Sequence, residues 1–208
     1  MLDYTEYTKF LISLLAVVNP IGVVPIFITM TADLNSAEQR RIAKLVVLAT
    51  ATVLLISLFF GELVLNFFGI SINSFRVGGG IMLLLMAISM LHTSHTTIRQ
   101  HREIAEQASE SMAVVPLAIP LLAGPAAIST VIINAYKGHG VEHYVLMSLD
   151  IIALTVILAL LFLLMPWIAS RISTLGINIS TRIMGLILAA IAVEFIANGL
   201  KGLFPVLA

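Results

Sequence analysis

Six apolar runs fill most of this 208-residue chain, at roughly 8–30, 43–68, 75–92, 113–134, 144–167 and 182–204, and each approaches the length that crosses a bilayer. Hydrophobic residues make up 60% of the chain and charged residues 11%, with a mean hydropathy of +1.08, so the composition is that of an integral membrane protein. Backbone groups in hydrocarbon must be satisfied within their own segment, which makes these runs α-helices. Too little chain remains for a soluble domain, and a single transmembrane domain over 1–208 is expected. Asp3 and Glu6 stand where a signal peptide would carry basic residues, so the first run is expected to stay as an anchor.

Lys and Arg set the expected orientation. Arg40, Arg41, Lys44, Arg99, Arg102, Arg171 and Arg182 follow runs 1, 3 and 5, whereas Lys9, Arg76, Lys137 and Lys201 lie on the other side. The first group is the more numerous and is therefore cytoplasmic, which places both termini outside.

Two of the runs are broken by proline. Asn19-Pro20-Ile21-Gly22-Val23-Val24-Pro25 interrupts run 1, and Pro120-Leu121-Leu122-Ala123-Gly124-Pro125 interrupts run 4. A shift of 105 residues lays Asn19-Pro20 on Gly124-Pro125. A shift of 106 lays Ser74 to Ile81 on Ser180 to Ile187, matching Ser, Arg, one Gly and Ile. The chain therefore reads as two three-helix repeats, about 7–92 and 112–208, joined by a cytoplasmic loop at about 93–111. Three spans per repeat is an odd number, so the second copy enters from the opposite side and the repeats are inverted. The expected fold is an all-α membrane protein of six transmembrane helices, with helices 1 and 4 broken near the bilayer midplane.

In such architectures broken helices offer half-helix N-termini to an anionic group. This makes Asn19, Pro20, Gly22, Gly124 and Pro125 candidate substrate-binding residues, with Ser129 and Thr130 adding hydroxyls one turn on. The plain alternative is a pair of kinks in packed helices. Ionisable groups within the spans are the candidates for coupling or gating. Glu194 stands near mid-depth in span 6 with Asn198 four residues on, Asp150 lies within span 5, and Arg76 and Arg182 open spans 3 and 6. Each also has a structural reading, as a hydrogen-bonded carboxyl or a snorkelling arginine. Gly78-Gly79-Gly80 reads first as close helix packing.

His92 and His95, and His139 and His143, have helical spacing but lack a third ligand, so no metal and no cofactor are expected. There is no H-E-x-x-H, G-x-S-x-G or P-loop pattern, and an enzyme is not expected. The zero formal charge leaves no basic surface for nucleic acid, and the lack of cysteine removes thiolate chemistry.

Several joined motifs carry a resemblance. Asn19-Pro20-Ile21-Gly22 with Pro25-Ile26-Phe27, Phe68-Gly69-Ile70-Ser71 leading to Phe75-Arg76, Val115 to Pro120 with Ala123-Gly124-Pro125, and Arg182-Ile183-Met184-Gly185 with Glu194-Phe195-Ile196 resemble the MarC family (UPF0056-type) of bacterial and archaeal inner-membrane proteins, in its YchE-like branch. The resemblance runs from span 1 to the C-terminus. It implies six spans and links the chain to neutral amino acid transporters of the glycine and alanine type.

The expected mechanism is alternating access in the bacterial or archaeal cell membrane. The substrate carboxylate meets the broken-helix N-termini and its ammonium meets Asn19 or Glu194, with H+ preferred to Na+ as coupling ion. The alternatives are an exporter of another small metabolite or drug, and a nontransporting membrane scaffold. Membrane lipid surrounds the chain, and a homo-oligomer is permitted.

Overall fold

The computed structural model describes residues 4–20, 23, 27, 31, 34–91, 122–138, 140–171, 174–204 and 206. Gly22, the prolines at 25, 116 and 120, the histidines at 92, 95, 101 and 139, and the expected loop at about 93–111 lie outside them. Six helices have both ends among the described residues: α1 Tyr4–Val18, α2 Ser36–Phe67, α3 Ile72–Leu91, α4 Pro125–Ala135, α5 Val141–Arg171 and α6 Thr174–Leu203. Four of them hold stretches long and apolar enough to cross a membrane, at 36–67, 72–91, 141–165 and 181–203.

The ends of the helices follow local chemistry. α2 opens earlier than its apolar run because Asn35 and Glu38 form a capping box: Asn35 Oδ1 accepts from the Ala37 and Glu38 amides at 3.0 Å, and Glu38 Oε2 accepts from the Asn35 amide at 3.1 Å. A polar first turn is thereby held helical outside the hydrocarbon. At the other end Gly69 takes φ +66°, and the Ile70 amide reaches back to the Leu65 carbonyl at 2.9 Å. That left-handed position suits glycine and turns the chain into α3.

The helices pack in an ordered scheme. α3 lies along α6, α2 along α5, and α1 and α4 fill the space between, touching each other. The α3–α6 seam is close because glycines line it. A methyl on Gly80 would stand 3.0 Å from the Ala192 carbonyl oxygen, and one on Gly185 would stand 3.3 Å from that of Ala87. Asn73 and Val77 meet Gly199 in turn, so the two helices run antiparallel. Leu83, Ala87, Leu188 and Ala192 are wholly buried along this seam. Leu14, Leu54, Leu58, Leu154 and Leu158 supply the rest of the apolar core.

The outward faces carry Ile56, Phe60, Leu63, Leu85, Leu160 and Leu186, all more than half exposed. Such a surface suits lipid and not water.

Candidate functional site

α1 is 15 residues long and α4 is 11, so they span about 22 and 16 Å, short of the roughly 30 Å hydrocarbon core. Each stops at one of the two expected breaks. Asn19 has φ +48°, the left-handed conformation that Asn adopts more readily than other residues with a side chain, and its amide closes α1 on the Leu15 carbonyl at 3.0 Å. Pro20 follows and disfavours the right-handed helical state at Asn19. Pro20, Val23 and Phe27 are helical again beyond the break. At the second break Gly124 is extended and Pro125 opens α4.

Four contacts fix the levels of these breaks. The Tyr7 hydroxyl lies 3.0 Å from His143 Nδ1, and the Phe27 and Phe162 rings are 4.7 Å apart. The first helical run therefore advances beside α5 in the same direction. Asn19, twelve residues past Tyr7, comes level with Thr155, twelve past His143. Phe59 stacks on Tyr144 at 5.8 Å, so the far end of α2 lies at the start of α5 and the pair is antiparallel. Thr50, nine residues before Phe59, comes level with Ala153, nine past Tyr144. His143 Nε2 donates to the Ala135 carbonyl at 3.2 Å, bringing the end of α4 to the same end of the molecule. Pro125, ten residues before Ala135, is thus also level with Ala153.

Asn19, Thr50, Pro125 and Thr155 consequently lie within about a turn of one level, about 15–18 Å from the Tyr7–His143–Ala135 end at 1.5 Å per residue. That is half-way along α2 and along the spanning part of α5.

This level carries buried polar side chains, as the Tyr7–His143 end also does. Asn19 is 3% exposed and its Nδ2 donates to Met90 Sδ at 3.5 Å. Pro20 is buried with it. Gly124 carries no side chain to cap α4, so the Ala126 and Ala127 amides of the first turn have no side-chain acceptor from the N-cap residue. Pro125 is exposed, and Gly124 is half-buried. This N-terminus carries the positive end of the helix dipole with no side-chain cap from Gly124. Behind it, Ser129 packs against Gly79, where an added methyl would stand 2.7 Å from Ser129 Oγ. Thr130 is buried and donates to the Ala126 carbonyl at 2.9 Å, and Asn134 Nδ2 donates to the Thr130 carbonyl at 2.8 Å.

The ionisable candidates separate. Asp150 is half-buried on α5, one turn before the shared level, with a buried Oδ2 that has no hydrogen-bond partner. Glu194 and Asn198 instead share the exposed side of α6, joined by Asn198 Nδ2 donating to Glu194 Oε1 at 2.9 Å. Arg76 is half-buried in the first turns of α3, and Arg182 is exposed near the start of the apolar part of α6.

The sequence reading missed two residues at this level, Thr50 and Thr155. Single threonines are common in apolar helices, and their separation of 105 residues, the same offset that relates the two prolines, was the available signal. His143 joins a structural cluster: a carbonyl only accepts, so Nε2 carries a proton toward Ala135, while Nδ1 shares a hydrogen bond with the Tyr7 hydroxyl. Among the described residues no group of three His, Cys, Asp or Glu could hold a metal ion. Lys137, in the turn after α4, donates to Asn134 Oδ1 at 3.0 Å. Desolvation holds its ammonium below the ordinary lysine value, with Glu6 opposing and Arg76 and Lys9 adding to the shift.

Comparison with known proteins agrees with a multi-pass membrane protein. The model of the MarC family, described as MarC family integral membrane protein, matches residues 4–204. UPF0056 membrane protein YhcE of Escherichia coli (strain K12) is 40% identical over 98% of this chain and 95% of its own length. UPF0056 membrane protein YvbG of Bacillus subtilis (strain 168) is 39% identical over 94% of each. A UPF0056 membrane protein of Methanocaldococcus jannaschii is 40% identical over 91% of this chain and 93% of its own length. No solved structure matches the chain. With a family model covering nearly all of its length and relatives matched end to end, the chain belongs to the MarC family of integral membrane proteins.

Proposed function

We propose that this protein is a secondary transporter of small neutral amino acids of the glycine and alanine type, working by alternating access in a bacterial or archaeal cell membrane with both termini outside. The observation that carries the reading is the meeting of two helix breaks, Asn19–Pro20 and Gly124–Pro125, at one level half-way along the spanning helices, with α4 left uncapped. An uncapped half-helix N-terminus inside a membrane protein suits a carboxylate. Small residues around it, Gly124, Ala126 and Ala127, favour a small substrate.

An inverted repeat of three helices per half is part of the proposal, and packing supports it. Gly80 meets Ala192 and Gly185 meets Ala87, a reciprocal pair at an offset of 105 residues. The same offset relates Pro20 to Pro125, Leu83 to Leu188 and Thr50 to Thr155. The run of α1 beside α5 has its counterpart in α4 beside α2, where Gly61 meets Ile132. In the α3–α6 pair this offset replaces the 106 read from Ser74 and Ser180.

For coupling we favour a proton carried by Asp150, whose buried oxygen lacks a partner near the shared level. Glu194, on the exposed side of α6, is left out of the substrate site. Uptake of labelled glycine and alanine into proteoliposomes tests the proposal: saturable uptake is expected, and none by well-folded protein overturns it.

A further inference from the structure

Buried hydroxyls in membrane helices normally bond back to a carbonyl of the preceding turn. Thr31 donates to Phe27, Ser57 to Val53, Thr130 to Ala126 and Thr155 to Ile152, at 2.7–2.9 Å. Thr50 does not. Its side chain is 0% exposed, and Oγ1 has no hydrogen-bond partner. An orphaned buried hydroxyl is disfavoured unless something else uses it, and the arrangement calls for a reason.

Its position supplies one. Thr50 lies within about a turn of the start of α4, which packs against α2 with Gly61 on Ile132, and within a turn of the level shared by Asn19 and Thr155. Thr155 is its counterpart at an offset of 105 residues on the facing helix α5, and it is also buried. The two hydroxyls differ in what they have left to offer. Thr155 has spent its proton on the Ile152 carbonyl and retains only lone pairs, whereas Thr50 retains its proton.

We infer that Thr50 and Thr155 complete the binding site at the helix breaks as an unequal pair, Thr50 donating to the carboxylate of a small zwitterion beside the α4 N-terminus and Thr155 accepting from its ammonium. The inference rests on the transporter reading and adds to it both residues and a polarity: the carboxylate end lies toward α2 and α4, the ammonium end toward α5 and Asn19. Selection for a zwitterion over a simple carboxylate or amine follows, because each hydroxyl serves one end.

The natural chain contains no cysteine, so single-cysteine variants report without background. In proteoliposomes, Thr50→Cys is expected to react with a hydrophilic methanethiosulfonate reagent and to be slowed at least fivefold by saturating glycine, while Leu54→Cys, one turn along α2, stays unreactive. Thr50→Val removes a hydroxyl that makes no bond in the fold. It is expected to keep the native unfolding temperature and raise the KM for glycine about tenfold, with Thr50→Ser restoring it. Native KM in Thr50→Val, or Thr50→Cys labelling that is absent or indifferent to glycine, overturns the inference while leaving native glycine uptake in place. Absence of uptake by the native protein overturns the transporter reading and this inference together.

Discussion

Gly80 lies against the carbonyl oxygen of Ala192 across the α3–α6 seam, with room for hydrogen but not for a methyl: a Cβ there would stand 3.0 Å from that oxygen and 2.7 Å from the Ile196 side chain. Backbone on the facing side cannot yield as a flexible side chain can. Gly80→Ala should therefore push the helices apart and destabilise the protein by about 1–3 kcal/mol. Gly78, two residues away, has nothing within 4 Å of an added Cβ, and Gly78→Ala should be neutral or stabilising through helix propensity. Thermal unfolding in detergent compares the two.

Tyr7 and His143 hold the α1, α4 and α5 ends together through the Ala135 carbonyl. Tyr7→Phe keeps the ring but leaves His143 Nδ1 buried without this hydrogen-bond partner. A loss of about 1–2 kcal/mol is expected, visible as a lower unfolding temperature. Unchanged stability would mean that the bond contributes nothing to the native state.

Asp150 and Glu194 are both carboxylates within spanning helices, yet they face different surroundings. Asp150→Asn should remove the response of uptake to an imposed pH gradient. Glu194→Gln retains an oxygen for Asn198 on the exposed side of α6, so it should keep that response and a KM within about twofold of native. Gradient-dependent uptake in proteoliposomes separates them, and the reverse pattern would move the coupling group to α6.

Much of this arrangement was legible in the sequence because helix breaking is local chemistry. A left-handed Asn before Pro20 and an extended Gly before Pro125 act through their own backbones, so the end of α1 and the start of α4 at these residues are local features. Packing depends on register between distant segments, and there sequence reasoning was weaker. The offset of 105 at Gly80 and Gly185 emerges only from which carbonyl each glycine faces. Thr50 and Thr155 were passed over because hydroxyl burial and partnering are tertiary facts. The depth of Glu194 along α6 is likewise legible, whereas the side of the helix it occupies is a tertiary fact.

In the proposed site a substrate carboxylate uses the first-turn amides of α4, which Gly124 leaves without a side-chain cap, and Gly124→Ser probes that use. The φ of −68° and ψ of 173° at Gly124 suit any residue. A serine there would cap the Ala126 or Ala127 amide itself, holding or raising stability by a few tenths of a kcal/mol while occupying the donor that the substrate needs. Labelled glycine uptake should fall at least tenfold in Gly124→Ser with an unfolding temperature equal to or above native. Undiminished uptake by the stably folded variant would contradict the account.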